Sequence, residues 1–326
     1  MAVRIGIDGR SLTKGPPGVA TVVRGLLAHI PHLMPLASDF PSNNFLWNQL
    51  RVPMATLKMR WNLYHAPSYT APLVNFCPTV LSVHDVSYLA SDAWYPYQLG
   101  RVRKRYYIAS MKRAARIIVP SEFSRKEVIR FLPETDSRVR RIALGVSPEF
   151  RVVDSLGEQV KSRLGLPDRF LLHVGDIHPR RNIPVIESVA QELALPLVLV
   201  GKPLKGAEFS EKPRYLFAGV NQEELVGIYN AATVLVYPSQ YEGFGLPILE
   251  AMACGLPVVA ADRASIPEVC GEAAVLVEPR VDAILDGISR VLESRDEYVA
   301  RGLERVRDFS WEKTAKQTLG VYEELL

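Results

Sequence analysis

The stretch Tyr237-Pro238-Ser239-Gln240-Tyr241-Glu242-Gly243-Phe244-Gly245-Leu246-Pro247-Ile248-Leu249-Glu250-Ala251-Met252-Ala253-Cys254-Gly255 decides how the rest of the chain is read. An apolar run ending near Ser239 gives way to a glycine-bearing loop, and a helical pattern begins near Leu246. Pro247 suits the first helical turn, where its missing N–H would have no partner anyway, and Gly255 suits the C-terminal cap. Loop amides ahead of a helix N-terminus make a ready site for phosphate. Glu242 sits in that loop and Glu250 lies about one turn into the helix. A carboxylate at each end of an anion-binding element is odd for phosphate alone. It fits a ligand with hydroxyl groups on both sides of its phosphates, as in a nucleotide sugar. Read alone, the loop is equally a tight turn before a surface helix with two solvated glutamates.

Outward from this element, short β-branched runs alternate with helical patterns. Strands are expected at 3–8, 63–65, 79–84, 116–119 and 139–143, then at 170–174, 197–200, 215–217, 234–237, 258–261 and 274–277. Helices are expected at 19–29, 95–114 and 121–131, then at 183–193, 222–230, 247–254 and 282–293. Such alternation implies an α/β fold with parallel sheets covered by helices on both faces. Two runs of this kind imply two doubly wound, Rossmann-like domains, with the polar stretch 153–165 as linker. Ligands of open α/β sheets bind outside the carboxyl ends of the strands, so two facing domains would hold a ligand in the cleft between them.

Composition agrees. The 326 residues are 48% hydrophobic and 23% charged, with a mean hydropathy of +0.05. That length favours two domains, and the apolar fraction excludes intrinsic disorder. No apolar run reaches the roughly 18 residues of a membrane span, and the N-terminal run reads as a first strand rather than a signal peptide. Cys77, Cys254 and Cys270 are scattered and odd in number, which points to a reduced, cytoplasmic setting. The net charge of +4 hides a division: residues 1–152 hold 21 Lys+Arg and 9 Asp+Glu (+12), and residues 153–326 hold 18 and 26 (−8). A basic half facing an anionic surface or substrate is one consequence; uneven solvated faces are the other.

Arg180 and Arg181 follow an expected strand and precede a helix, so they belong at a carboxyl end of a sheet. Two guanidinium groups there could clamp a pyrophosphate and stabilise charge growing on a leaving group. His84 ends the apolar run 79–83, another position of this kind. Gly15 and Gly18, between the first strand and first helix, would let backbone approach a ligand, although neither a dinucleotide fingerprint nor a P-loop is present. The dispersed histidines, with no Cys-x-x-Cys and no Asp-x-Asp, argue for no metal and no cofactor. From Arg101 to Arg116 there are seven cations and no acid. With Val102, Tyr106, Ala109 and Arg113 at helical spacing, one face could pack while another meets anionic lipid; an ordinary solvated helix is the plainer reading. No nucleic-acid-binding motif accompanies these cations.

The Glu-x7-Glu spacing of Glu242 and Glu250, set within Glu-Gly-Phe-Gly-Leu-Pro-x-x-Glu-Ala, resembles the signature of retaining GT-B glycosyltransferases of family four, the group that includes glycogen synthase. Ala264-Ser265-Ile266-Pro267-Glu268, Gly175-Asp176-Ile177-His178-Pro179-Arg180-Arg181-Asn182, Phe309-Ser310-Trp311-Glu312, Ile7-Asp8-Gly9-Arg10, Val83-His84-Asp85 and Val119-Pro120-Ser121-Glu122 continue the likeness in the family's order. The family usually has lysine where Arg181 stands, which leaves the phosphate role and changes its geometry from a point charge to a planar fork.

The resemblance implies a metal-independent hexose transfer, with retention, from a nucleoside-diphosphate sugar to a hydroxyl of a saccharide or lipid-linked acceptor in cell-surface polysaccharide or glycolipid assembly. Glu250 would bind the ribose hydroxyls and Glu242 the transferred sugar. The amides of Gly243, Phe244, Gly245 and Leu246 would meet sugar and distal phosphate, His84 the sugar near its reacting carbon, Gly18 the donor phosphate, and the backbone near Val220 the base. Residues 1–152 would bind acceptor, 153–308 would bind donor, and a helix within 309–326 would cross back to the first domain. Peripheral attachment to the inner face of the membrane would bring the enzyme to a lipid-linked acceptor. A GT-B sugar phosphorylase, a nucleotide-sugar epimerase and a non-catalytic sugar-nucleotide-binding module are the alternatives.

Overall fold

The computed structural model describes residues 3–13, 15, 17–37, 43–91, 94, 100–210 and 213–326. The chain forms two compact units, one of 1–90, 99–145 and 310–326, the other of 91–98 and 146–309.

The first unit carries strands β1 (Ile5–Asp8), β2 (Leu33–Leu36), β3 (Leu63–Ala66), β4 (Thr79–Ser82), β5 (Arg116–Val119) and β6 (Val139–Arg141) in one parallel sheet ordered β2-β1-β3-β4-β5-β6. Its helices are α1 (Pro17–His29), α2 (Asn44–Leu46), α3 (Val52–Met59), α4 (Ser87–Ala90), α5 (Arg101–Arg113) and α6 (Glu122–Phe131), with a π-helical turn, Trp47–Arg51, joining α2 to α3. Strand β2 and the whole stretch from α2 to α3 go beyond the elements expected from the sequence. Pro35 obscures β2, and an edge strand tolerates it because one side of its backbone needs no ladder partner.

The second unit repeats the plan with β7 (Leu171–Val174), β8 (Leu197–Val200), β9 (Tyr215–Phe217), β10 (Val234–Tyr237), β11 (Val258–Ala261) and β12 (Val275–Val277), ordered β12-β11-β10-β7-β8-β9 and parallel throughout. Strands β7, β10 and β11 are buried along their whole length, as near-continuous apolar strands covered on both faces must be. Helices α7 (Leu156–Leu164), α8 (Ile183–Glu192), α9 (Gln222–Ala231), α10 (Leu246–Ala253), α11 (Ile266–Cys270), α12 (Val281–Glu293) and α13 (Arg295–Val306) surround the sheet.

Helix α7 corrects the linker reading of 153–165. Gly157 and Val160 are buried, and a Cβ on Gly227 of α9 would lie 2.3 Å from the Val160 side chain. The polar residues that suggested a linker are the exposed face of a packed helix.

The last helix, α14 (Trp311–Glu323), belongs to the first unit. Ser310 caps it by accepting from the Lys313 amide, and Thr314 donates to the Ala143 carbonyl at 2.8 Å. Its tryptophan seats on α1 at Gly25, where a Cβ would come within 2.3 Å of the indole. Glu324 receives Arg116 at 2.7 Å and Arg140 at 2.8 Å, which holds its carboxyl down at about 2.

Helix α5 also differs from expectation. Val102 is 81% exposed, and the buried side is formed by Ser110 and Met111 instead. Residues 95–99 of the expected helix lie outside the described residues. Lys112 pairs with Glu134 and Arg116 with Glu324, so at least these cations are engaged within the protein.

Candidate active site

In the second unit, chain order reverses between β7 and β10, which lie side by side with β8 and β9 on one flank and β11 and β12 on the other. Such a switch point opens a crevice beyond the carboxyl ends of the two strands. The loop after β7 carries Arg180 and Arg181, and the loop after β10 carries Glu242 through Gly245. The Gln240 amide donates to the Arg180 carbonyl at 2.8 Å, tying one loop to the other.

Arg181 and Glu242 form a buried ion pair across the crevice. The same guanidinium reaches Ser239 Oγ at 3.2 Å and the Tyr237 hydroxyl, and Tyr237 donates to Glu242 Oε1 at 3.2 Å. Behind them His173 stacks on Tyr237 with centroids 5.5 Å apart and accepts no charge: burial, and then the Arg181 cation, pull its pKa down to about 3.

The Glu242 loop is held from below. Ser265 Oγ lies 2.9 Å from the carbonyls of both Glu242 and Phe244 and donates to them. Gly245 has φ +112, open to glycine and strained for any other residue. That conformation turns the chain into α10, whose first amides follow at Leu246. The loop amides of Gly243, Phe244 and Gly245 are therefore set by a buried hydroxyl and a backbone turn.

Glu250, half-buried on α10, accepts a 2.8 Å hydrogen bond from the Tyr229 hydroxyl on α9. Burial raises its pKa to about 7, and the Tyr229 bond offsets part of that rise. Val220 lies between β9 and α9, at the β9 edge of the sheet.

Two expected residues belong to the first unit. Gly18 is in the first turn of α1 with open space where a Cβ would stand; its loop neighbours Lys14 and Pro16 lie outside the described residues. His84 falls two residues beyond β4 and donates Nε2–H to the Pro67 carbonyl at 2.8 Å. Burial lowers its pKa, so the neutral ring keeps its lone pair on Nδ1. His65 is buried between the Tyr322 hydroxyl at 2.6 Å and Ser82 at 2.8 Å, and burial takes its pKa to about 3; it is a joint between β3, β4 and α14.

Sequence reading brought Arg181, Glu242 and the loop glycines to one place but missed Tyr229, Tyr237, Ser239 and Ser265. Tyr237 is the last residue of an apolar strand, a signal present in the sequence. Tyr229 carries no such signal, because its partner is set by how α9 packs on α10. Among the described residues no group of three His, Cys, Asp or Glu side chains is arranged to hold a metal.

Comparison with known proteins gives the family and the fold. The family described as "Glycosyltransferase Family 4" matches residues 9–150, and "Glycosyl transferases group 1" matches 168–294. O-antigen chain mannosyltransferase B of Escherichia coli is 32% identical over 285 residues, covering 80% of this chain and 74% of that protein. The serotype-specific mannosyltransferase WbdA of Escherichia coli is 30% identical over 296 residues, and the match covers 80% of this chain but 36% of that larger protein. Sucrose-phosphate synthase from Thermosynechococcus elongatus shares the fold with a TM-score of 0.78, 21% identity and 99% coverage of both chains. HepE of Anabaena, solved with UDP and glucose, does so with a TM-score of 0.76, 17% identity and coverage of 99% and 100%.

Proposed function

The chain belongs to glycosyltransferase family 4 and has the GT-B fold of two parallel α/β sheets, and we propose that it moves a hexose, with mannose the leading candidate, from a nucleoside-diphosphate sugar to a hydroxyl of a saccharide or lipid-linked acceptor. Mannose is favoured by the likeness to two mannosyltransferases, one of which acts on an O-antigen chain by name.

The observation that carries the reading is the buried Arg181–Glu242 pair at the β7/β10 switch point, bounded by the Gly243–Gly245 amides. A cation, a carboxylate and the loop amides gathered at one crevice match the three needs of the reaction. Arg181, with Arg180 beside it, meets the charge that grows on the departing diphosphate. The amides ahead of α10 meet the distal phosphate. Glu242 orients the guanidinium and faces the sugar. These groups supply positive charge from the protein, so the transfer needs no divalent metal. Glu250 receives the ribose hydroxyls, and the backbone near Val220 the base. Gly18 borders the donor phosphate, and His84 offers Nδ1 to the sugar as an acceptor. The acceptor hydroxyl attacks from the face the diphosphate leaves, passing its proton to the leaving phosphate, so anomeric configuration is retained.

For a lipid-linked acceptor, the reading sets the exposed Arg101, Arg103 and Arg105 of α5 against anionic lipid on the inner face of the membrane. Among the described residues no helix is long and apolar enough to cross a bilayer, which suits attachment from one side.

A thermal-shift screen of uridine, guanosine, adenosine and thymidine diphosphate sugars, the guanosine and uridine sugars each as mannose and glucose, tests the donor. One sugar nucleotide should stabilise the protein by an amount that grows with the logarithm of its concentration over Kd. Product analysis with that donor should give one anomer, matching that of the donor, in the presence of a chelator. Inversion, or release of sugar phosphate from a glycoside and inorganic phosphate, overturns the reading.

A further inference from the structure

The helical run from α2 through the π-turn to α3 has an apolar face on the outside. Leu46, Leu50, Met54 and Leu57 recur at intervals of four, four and three, which puts them on one side of a helix, and Leu50, Met54 and Leu57 are 57%, 64% and 56% exposed. The opposite side is already used for packing, through Trp47, Val52, Pro53 and Ala55. A surface helix ordinarily shows polar residues to water; this one is apolar on both faces.

The stripe has neighbours that widen it. Gln49 Oε1 accepts from the Leu73 amide at 3.1 Å, and Thr56 donates to Asn75 at 3.0 Å, which brings the 73–76 loop alongside with Val74 and Phe76 exposed. On another side Gln49 donates to the Tyr106 hydroxyl of α5 at 2.9 Å, and Phe45 meets the Tyr106 ring edge-on at 5.6 Å. The cationic helix α5 thus borders the apolar stripe directly. Arg51, Lys58 and Arg60 are exposed within or beside it, and no Asp or Glu occurs anywhere from residue 40 to residue 84.

We infer that this stripe is a membrane-insertion element: Leu46, Leu50, Met54 and Leu57, with Val74 and Phe76, enter the acyl boundary of an anionic bilayer while the flanking arginines and lysine remain among the headgroups. An apolar face rimmed by cations is the pattern of a helix lying in a membrane interface, and long basic side chains reach back to the headgroups. Charge selects lipid over the other occupants. A second copy docking on this face by two-fold symmetry would set cations against cations. The inference deepens the anionic-surface reading of α5 and rests on the same side of the first unit, but it assigns the part of binding that salt does not screen.

Vesicle flotation separates the two. Wild-type protein should bind vesicles of phosphatidylcholine mixed with phosphatidylglycerol, and part of that binding should survive about 1 M NaCl, where the screening length is about 3 Å. L50S/M54S/L57S should bind at least about tenfold more weakly and lose all of the salt-resistant part. R101Q/R103Q/R105Q should bind more weakly at low salt, losing only the salt-sensitive part, and match wild type at about 1 M NaCl. Unchanged binding by the serine variant overturns the insertion element, whereas unchanged binding by the glutamine variant overturns only the role of α5. Sedimentation velocity showing a wild-type dimer that the serine variant dissociates would assign the stripe to self-association and also overturn the inference. A single Met54→Trp variant guards against misfolding: its added fluorescence should shift to the blue and be quenched by brominated lipid, and emission unaffected by vesicles counts against insertion.

Discussion

The Tyr229 hydroxyl lies 2.8 Å from Glu250 Oε2 and donates to it, joining α9 to the carboxylate proposed to hold the donor ribose. The bond leaves Glu250 Oε1 for a ligand and fixes the rotamer in advance. Glu250→Ala should therefore raise the Kd for the nucleotide sugar about 100-fold, the loss expected for hydrogen bonds to a charged group. Calorimetry with the stabilising donor checks it; unchanged affinity removes Glu250 from the site.

The same carboxyl sets a pH dependence. Its pKa in the fold is raised from 4.5 to about 7, so it is protonated below neutrality and ionised above. An ionised carboxylate accepts ribose hydroxyls better, so donor affinity should rise as pH increases through about 7. Tyr229→Phe removes a bond that lowers this pKa, so the midpoint should move upward while kcat at high pH stays near wild type. KM for donor against pH, with kcat followed in parallel, reads the shift.

Arg181 and Glu242 should fail together. Removing the guanidinium in Arg181→Ala leaves Glu242 buried without its cation, which costs about 3 kcal/mol of stability. Arg181→Ala/Glu242→Gln should recover most of that loss in urea unfolding and none of the transferase activity. A double variant as unstable as the single would mean the pair is not the source.

Two buried histidines make the fold acid-sensitive. His65 and His173 are held neutral, each with its pKa pulled from 6.5 down to about 3 by burial. The unfolded chain takes up their protons as pH falls through 6.5 and the folded chain does not until about 3. Stability is thus full above pH 6.5 and falls across that window, by about 2 kcal/mol for each histidine at pH 5. Urea unfolding between pH 7 and pH 5 measures the slope, which His65→Gln should reduce.

The α1–α14 junction should be intolerant of one methyl group. In Gly25→Ala the new Cβ would stand 2.3 Å from the rigid Trp311 indole, and overpacking of this kind costs about 1–3 kcal/mol. A thermal melt lower than wild type is expected; an unchanged one would show that α14 shifts freely.

The α/β alternation, the helix boundaries around Leu246 and Ile183, and the gathering of Arg181 with Glu242 were legible in the chain because each depends on local order. Buried parallel strands are short apolar runs, helices announce themselves by period and cap, and loops after strands lie at one edge of a sheet. The residues 153–165 were misread as linker for the same reason: a short polar helix with Gly157 and Val160 as its buried side shows no long period. Nothing local marks Leu46, Leu50, Met54 and Leu57 as exposed, since an apolar residue at helical spacing reads as core until its neighbours are known.

The order of side-chain types along the chain thus determined the architecture, the family and the loops that carry the chemistry. Which groups meet was left to folding: Tyr229 with Glu250, Ser265 with the Glu242 loop, His65 with Tyr322, and the apolar stripe with water. Each of those depends on residues far apart in sequence or on which side of a helix is already covered, and burial is a property of the packed molecule that no single segment contains.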